Sequence, residues 1–176
     1  MGNFIPKMVS WLVTMALLSA CLVSVLLYTL PAQAAIRQLE EAPGQVVYQS
    51  RQTVSDQHGD HWQVIAFNRI RPNGSTSFYL RLVGFPGTAE IDRSRPLTLT
   101  TSLGQSLTAA DASSDIFTDA SVPESNVGQY DLQPIVSQLP AAIPLQIRLP
   151  TLNVDDVVLP IAPSLIQEWK TTATYQ

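Results

Sequence analysis

The stretch HWQVIAFNRIRPNGSTSFYLRLV, residues 61–83, decides the fold. Residues 61–70 and 76–83 are rich in β-branched and aromatic side chains, a composition that favours strands. Between them, Pro72 suits the second position of a type I turn, and Gly74 suits the left-handed conformation of a G1 bulge. The sequence therefore predicts a β-hairpin closed by a three-residue loop.

This loop fixes the register of the hairpin, and the register separates two faces with different chemistry. One face is almost wholly apolar and pairs Ile70 with Thr76, Asn68 with Phe78, Ala66 with Leu80, Val64 with Leu82, and Trp62 with the neighbourhood of Gly84. The other face pairs Arg71 with Ser75, Arg69 with Ser77, Phe67 with Tyr79, Ile65 with Arg81, and Gln63 with Val83. A two-residue Asn-Gly loop would place Pro72 in the ladder and set Ala66 against Arg81, so we reject that register.

Further strands are predicted on both sides of the hairpin. Alternation over residues 45–54 predicts a strand before it, and SDQHGD, residues 55–60, is a turn sequence. After it, short strands are predicted over residues 89–92, 96–102, 105–109, 143–149 and 154–161. The acidic, small-residue-rich stretch between residues 110 and 129 is predicted to be a long surface excursion.

Two helices complete the prediction. Asp131 can cap a short internal helix that runs to about Leu139, and Pro163 can open a C-terminal helix with Leu165, Ile166 and Trp169 on its apolar side. The predicted fold class is mainly β, a β-rich α+β domain. We expect an antiparallel sheet, or a small open barrel or sandwich, with one short internal helix and a C-terminal helix.

The first 34 residues have the pattern of an export signal. Lys7 precedes residues 8–30, which contain no charge, and AQA at residues 32–34 is a small-residue cleavage sequence. The apolar run is also long enough to remain as a membrane anchor, since about 20 residues span a bilayer. A third interpretation is a lipoprotein, because LSAC at residues 18–21 matches a lipobox. All three interpretations place the domain outside the cytoplasm.

The predicted organisation is therefore a signal peptide over residues 1–34, a lead-in segment over residues 35–44 and one β-rich domain over residues 45–173. The chain of 176 residues has a net charge of −4, which argues against a general nucleic-acid binder. Its one cysteine, Cys21, lies in the leader, so the domain has no thiol for metal binding or catalysis. No cofactor motif is found, and we expect no cofactor.

A cluster of polar residues in the turn DQHGDH raises the question of metal binding or catalysis. Asp56, His58, Asp60 and His61 are weak candidate metal ligands, because no further His or Cys is available to complete a zinc site. Turns also recruit aspartate and glycine for backbone reasons. A hydrolase using His58 or His61 is an alternative, although no G-x-S-x-G sequence supports it.

The second face of the hairpin is the candidate binding surface. Phe67, Arg69, Arg71, Tyr79 and Arg81 are brought together by the predicted register, and arginine with aromatic residues is the composition of interface hot spots. The alternative is that the C-terminal helix or the acidic excursion covers this face and pairs with the arginines inside the fold.

Several strings of residues carry a family resemblance: SFYLRLVGFPG (77–87), EIDRSRPL (90–97), IFTD (116–119) and NVGQYDL (126–132). Over about Val46 to Trp169 the chain resembles an uncharacterised family of exported cyanobacterial proteins with a domain of unknown function. The resemblance implies the thylakoid lumen or the periplasm as the location. In the lumen, small β-rich proteins commonly assist photosynthetic membrane complexes, and the resemblance implies this class of role.

The functional expectation is a non-enzymatic binding or accessory module, with a protein partner favoured over nucleic acid. The two alternatives are the extracytoplasmic hydrolase and a membrane-tethered structural protein. Membrane contact through residues 8–30 is expected only if the leader is not cleaved.

Overall fold

The predicted hairpin is present with the predicted register. The computed structural model describes residues 36–117, 121–152 and 155–176. Strands β3 (His61–Ile70) and β4 (Thr76–Val83) pair antiparallel, with Phe67 opposite Tyr79 and Ala66 opposite Leu80. The Arg71 amide donates to the Ser75 carbonyl, and Gly74 has a φ of 78°. The positive φ at Gly74 is the feature that the three-residue loop requires.

The hairpin forms the centre of a five-stranded antiparallel sheet. Its strand order is β1-β2-β3-β4-β7, where β1 is Arg37–Ala42, β2 is Gln45–Ser55 and β7 is Val127–Asp131. Strand β2 pairs with β3 from Val46 to Ser55, and β7 pairs with the edge of β4 that β3 leaves open.

A second, four-stranded antiparallel sheet has the order β6-β5-β8-β9. Its strands are β5 (Leu97–Thr101), β6 (Ser106–Ala109), β8 (Leu145–Leu149) and β9 (Val157–Ile161). In β5 and β8 every second residue is buried, as expected for strands with one face on a core. In the described part of the chain, neither sheet closes into a barrel.

One continuous core joins the two sheets and the C-terminal helix α1 (Pro163–Ala173). It includes Trp62 and Phe78 from the first sheet, Ile147 from the second and Trp169 from α1, all fully buried. Helix α1 lies against β2 and β3. The Ser50 hydroxyl donates to Glu168 Oε2 at 2.7 Å on this side of the sheet. We call this side of the five-stranded sheet the inner face and the opposite side the outer face.

The mainly β fold class is confirmed, and so is the C-terminal helix that opens at Pro163. The predicted internal helix is shorter than expected, because only a 3₁₀ turn, Val136–Gln138, forms before Pro140. Asp131 does not cap that turn. Its Oδ1 instead accepts a hydrogen bond from the Gln133 amide, and the chain turns locally.

Three other segments differ from the prediction. Residues 89–92 form no strand and contribute one isolated bridge, between Ile91 and Thr151, because turns border them on both sides. The excursion predicted over residues 110–129 is shorter, since β7 starts at Val127 where pairing with β4 overrides weak local propensity. The lead-in segment contains β1, an exposed strand that pairs with β2.

The predictions for residues 1–34 lie outside the described residues. Among the residues that are described, no helix is both long and apolar enough to cross a membrane.

Candidate functional site

The outer face of the five-stranded sheet brings residues of four strands into register. Side chains alternate between the two faces along each strand, so cross-strand partners form rows on one face. The outer-face rows are Val47, Arg69 and Ser77; Gln49, Phe67, Tyr79 and Asp131; Arg51, Ile65, Arg81 and Gln129; and Thr53, Gln63, Val83 and Val127.

A small apolar cluster lies at the centre of this face and is buried although the second sheet does not cover it. It consists of Val47, Ile65, Phe67 and Tyr79, with Ala112 packed against it. The Phe67 and Tyr79 rings are 5.6 Å apart and tilted by 41°. The Tyr79 hydroxyl donates to Asp115 Oδ2 at 3.2 Å. Part of the acidic excursion therefore covers one side of the cluster, but its carboxylate bonds to Tyr79 and forms no ion pair with an arginine of this face in the described residues.

Arg69 is held by a carboxylate partner from the exposed strand β1. Its guanidinium donates to both oxygens of Glu41, at 2.8 and 3.3 Å, and its side chain is 13% exposed. Burial by itself would raise the pKa of Glu41, but hydrogen bonds from Arg69 and Gln45 and the positive charge of Arg69 hold that pKa below its ordinary value. Arg69 is therefore a structural residue of this face.

Arg81 has no such partner. Its Nε and Nη2 both donate to one neutral acceptor, Gln129 Oε1, at 3.1 and 2.7 Å. Its guanidinium carbon lies 5.1 Å from the centre of the Phe67 ring, a cation–π distance. Burial lowers the pKa of Arg81, and the nearby charges of Arg69 and Arg51 lower it further, while Glu41 opposes them. No carboxylate of the described residues forms an ion pair with Arg81.

The predicted residues do not all meet at one point. Phe67 is the common contact of the central group, because Arg69, Tyr79 and Arg81 each lie against its ring. Arg71 lies at the hairpin end of the face, where its Nη1 donates to the Ser77 hydroxyl at 2.6 Å. The cluster of Phe67, Arg69, Arg71, Tyr79 and Arg81 thus divides into a central group and one peripheral arginine.

Sequence reasoning missed three residues that shape this site, Arg51, Gln129 and Glu41, the last of which lies on the unpredicted strand β1. Arg51 is exposed in the same row as Arg81, and the alternation of residues 45–54 was the signal that could have placed it on this face. Gln129 carried no such signal, because β7 lay in the predicted excursion. Its contact with Arg81 joins residues 48 positions apart.

The turn DQHGDH is organised by its first aspartate. Asp56 is buried, and its Oδ1 accepts the backbone N–H groups of His58 and Asp60 at 2.8 and 3.0 Å. Its Oδ2 accepts the Trp62 indole N–H at 3.1 Å. Both carboxylate oxygens therefore hold the turn against the core. In residues 36–117, 121–152 and 155–176, no three His, Cys, Asp or Glu residues converge as metal ligands would.

His61 has one partner that bears on the hydrolase alternative. The Ser55 hydroxyl lies 3.0 Å from His61 Nδ1, and the two residues are exposed cross-strand neighbours. A catalytic triad also needs an acid that orients the imidazole. No described carboxylate is hydrogen-bonded to His61, and His58 contributes only its backbone N–H, to Asp56. The contact is a local pairing at the end of β2 and β3.

Fold and surface together define a class: a two-sheet β domain with a C-terminal helix and an arginine-rich, aromatic outer face. The family model described as protein of unknown function (DUF3122) matches residues 34–172, and the chain belongs to this family. A search of the curated proteins found no match, and a search of the solved structures found none either.

Proposed function

We propose that this protein is a non-enzymatic binding module whose outer face binds an acidic segment of a partner protein. The observation that carries the proposal is Arg81, a half-buried guanidinium whose hydrogen-bonded partner is the neutral amide of Gln129. A partly desolvated charge that forms no ion pair costs free energy in the isolated domain. A carboxylate supplied by a partner would offset that cost.

The composition of the face supports a protein partner. Phe67 and Tyr79 provide a rigid aromatic base, and Arg51, Arg69 and Arg81 lie beside it on the same face. Two carboxylates contact this group: Glu41 accepts from Arg69, and Asp115 accepts from the Tyr79 hydroxyl. Arginine and tyrosine are enriched at protein–protein hot spots. A positive patch on a chain of net charge −4 favours a local acidic partner over a long polyanion such as nucleic acid.

The location and biological setting are also part of the proposal. The charge-free residues 8–30 and the AQA sequence at 32–34 support export to the periplasm or the thylakoid lumen. The sequence resemblance to exported cyanobacterial proteins supports an accessory role beside a photosynthetic membrane complex. If the leader is retained, the same module is tethered to the membrane.

Binding can be tested with a fluorescein-labelled peptide of eight glutamates, using protein purified from its host in its natural processing state. We expect the double variant Arg51→Gln/Arg81→Gln to bind the peptide at least about tenfold more weakly than the parent, since it removes two neighbouring positive charges that form no ion pair in the described residues. Arg148→Gln is the matched control, because Arg148 is an exposed arginine on β8 in the other sheet. Equal weakening by the control and the double variant would contradict the proposal.

The location is tested by the intact mass of the same material. A chain starting at Ala35 or Ile36 without lipid is the expected result and makes the protein a free exported factor. A full-length mass would make it a tethered protein. An acylated chain starting at Cys21 would make it a lipoprotein.

A further inference from the structure

A cavity of about 520 Å³ opens at the end of the outer face. Its lining is mainly apolar and consists of Thr53, His61, Trp62, Gln63, Val83, Gly84, Phe85 and Pro86. Thr53, Gln63 and Val83 are cross-strand neighbours in the last outer-face row. A cavity of this size is within the range of pockets that bind small ligands or single large side chains.

The loop after β4 forms the rim of this cavity. Phe85 is 70% exposed, a high value for an aromatic side chain. A Cβ atom at Gly84 would lie 2.9 Å from the Trp62 ring, so the absence of a side chain lets the loop backbone rest on that ring. The floor of the cavity is therefore fixed by the core, while Phe85 remains free to contact a bound group.

The cavity adjoins Arg51 and Arg81, neither of which forms an ion pair with a carboxylate of the described residues. Arg51 and Thr53 are two positions apart on β2, and Arg81 and Val83 are two positions apart on β4. Side chains with this spacing on one face of a strand lie about 7 Å apart. A positive edge and an apolar cavity are thus neighbours on one surface.

From this juxtaposition we infer that the partner segment carries a large apolar side chain beside its acidic residues, and that this side chain enters the cavity lined by Val83 and Phe85. The inference rests on the proposed function and narrows its partner to an amphipathic acidic segment. Charge complementarity selects this occupant, because an apolar group alone would leave Arg51 and Arg81 without a counter-charge.

The test compares two labelled peptides, Glu-Glu-Phe-Glu-Glu and Glu-Glu-Ser-Glu-Glu, by fluorescence anisotropy on host-processed protein. We expect the phenylalanine peptide to bind at least about tenfold more tightly, because burying an aromatic side chain contributes at least that much. Phe85→Ser should reduce this advantage several-fold. Leu103→Ser is the matched control, since Leu103 is exposed in the β5–β6 turn, and it should leave the advantage unchanged.

Three outcomes would overturn the inference, and they are distinguishable. In the first outcome, both peptides bind with equal affinity and Arg51→Gln/Arg81→Gln weakens both. This result would show that the cavity takes no part in binding, and the proposed function would still hold. Binding of neither peptide would overturn both. In the third outcome, phosphatidylglycerol vesicles bind more tightly than the phenylalanine peptide and displace it. The group that enters the cavity would then be a lipid.

Discussion

The two faces of the five-stranded sheet are made by the same strands and have opposite uses. On the inner face, Trp62, Phe78 and Leu80 are fully buried under the second sheet and helix α1. On the outer face, the buried apolar cluster has four members among the described residues, and it is bordered by arginines and, on one side, by Ala112 and Asp115 of the acidic excursion. The inner face is expected to stabilise the domain, whereas the outer face retains unpaired charge that is available to a partner.

Two arginines of the outer face differ in their hydrogen-bond partners, and this difference decides their roles. Arg69 is satisfied by Glu41, while Arg81 donates to Gln129 and stacks on Phe67. Both guanidinium groups lie over the Phe67 ring, with their central carbons 5.5 and 5.1 Å from its centre. Of these two arginines, Arg81 is the one without a carboxylate partner in the described residues, so composition alone does not identify the binding residue.

The largest loss of stability is expected for a substitution in the core beneath the inner face. Trp169 of α1 is fully buried, and Trp169→Ala should lower the free energy of unfolding by about 3–5 kcal/mol, through lost burial and a cavity. Urea denaturation measures this loss. Leu103→Ala, at an exposed turn position, is the control and should change stability by less than about 0.5 kcal/mol. A loss below about 1 kcal/mol for Trp169→Ala would make the helix peripheral.

The hairpin turn fixes the register that assigns each residue to the inner or the outer face. Its conformation can be tested at Gly74. Nothing lies within 4 Å of a Cβ atom added there, so the cost of Gly74→Val is the strain of a β-branched residue at a φ of 78°. We expect a loss of about 1–2 kcal/mol. Gly74→Asn should cost less, because asparagine tolerates this conformation. Equal melting temperatures for the parent and the valine variant would contradict the turn.

Within the outer face, the paired and unpaired arginines should differ in stability. Arg69→Gln leaves the Glu41 carboxylate without its bidentate partner and should cost about 1 kcal/mol. Arg81→Gln removes a bond to a neutral amide together with repulsion from Arg51 and Arg69, and should cost less than about 0.5 kcal/mol. Denaturant midpoints of the two variants check this order. A larger loss for Arg81→Gln would make Arg81 a structural residue.

The smallest effect is the pH dependence of the Arg69–Glu41 pair. The pKa of Glu41 is lowered in the folded protein, so its stabilisation is present above the pKa of the unfolded chain and is lost as the pH falls through the folded value. The free energy of unfolding of the parent should exceed that of Glu41→Gln by more at pH 6 than at pH 3. This change should be under about 1 kcal/mol, since the pair is partly exposed. Melting curves at both pH values measure the difference, and a constant difference would contradict the pairing.

The hairpin could be predicted from sequence because its turn and its alternation agree. RPNGS specifies the loop, and each predicted cross-strand pair from Ile70 and Thr76 to Gln63 and Val83 is present. Strand β7 could not be predicted from its own residues, since Gly128 weakens the pattern and pairing with β4 supplies the stability. The polar strand β1 depends on β2 in the same way.

The candidate site could also be predicted only in part. Phe67, Arg69, Tyr79 and Arg81 follow from the hairpin register, but the partners that decide their roles come from distant segments. Glu41 lies on β1 and Gln129 on β7, the two strands that the sequence pattern did not indicate. The difference between the paired and the unpaired arginine is therefore a property of tertiary pairing.

The most direct test of the central claim is a two-dimensional ¹⁵N–¹H spectrum of host-labelled protein during titration with Glu-Glu-Phe-Glu-Glu. If the outer face is the binding surface, shifts should concentrate on the amides of Arg51, Gln63, Arg81, Val83 and Phe85. The second sheet, including Arg148, should be unaffected. Shifts confined to the second sheet, or no shifts at saturating peptide, would contradict the assignment of binding to the outer face.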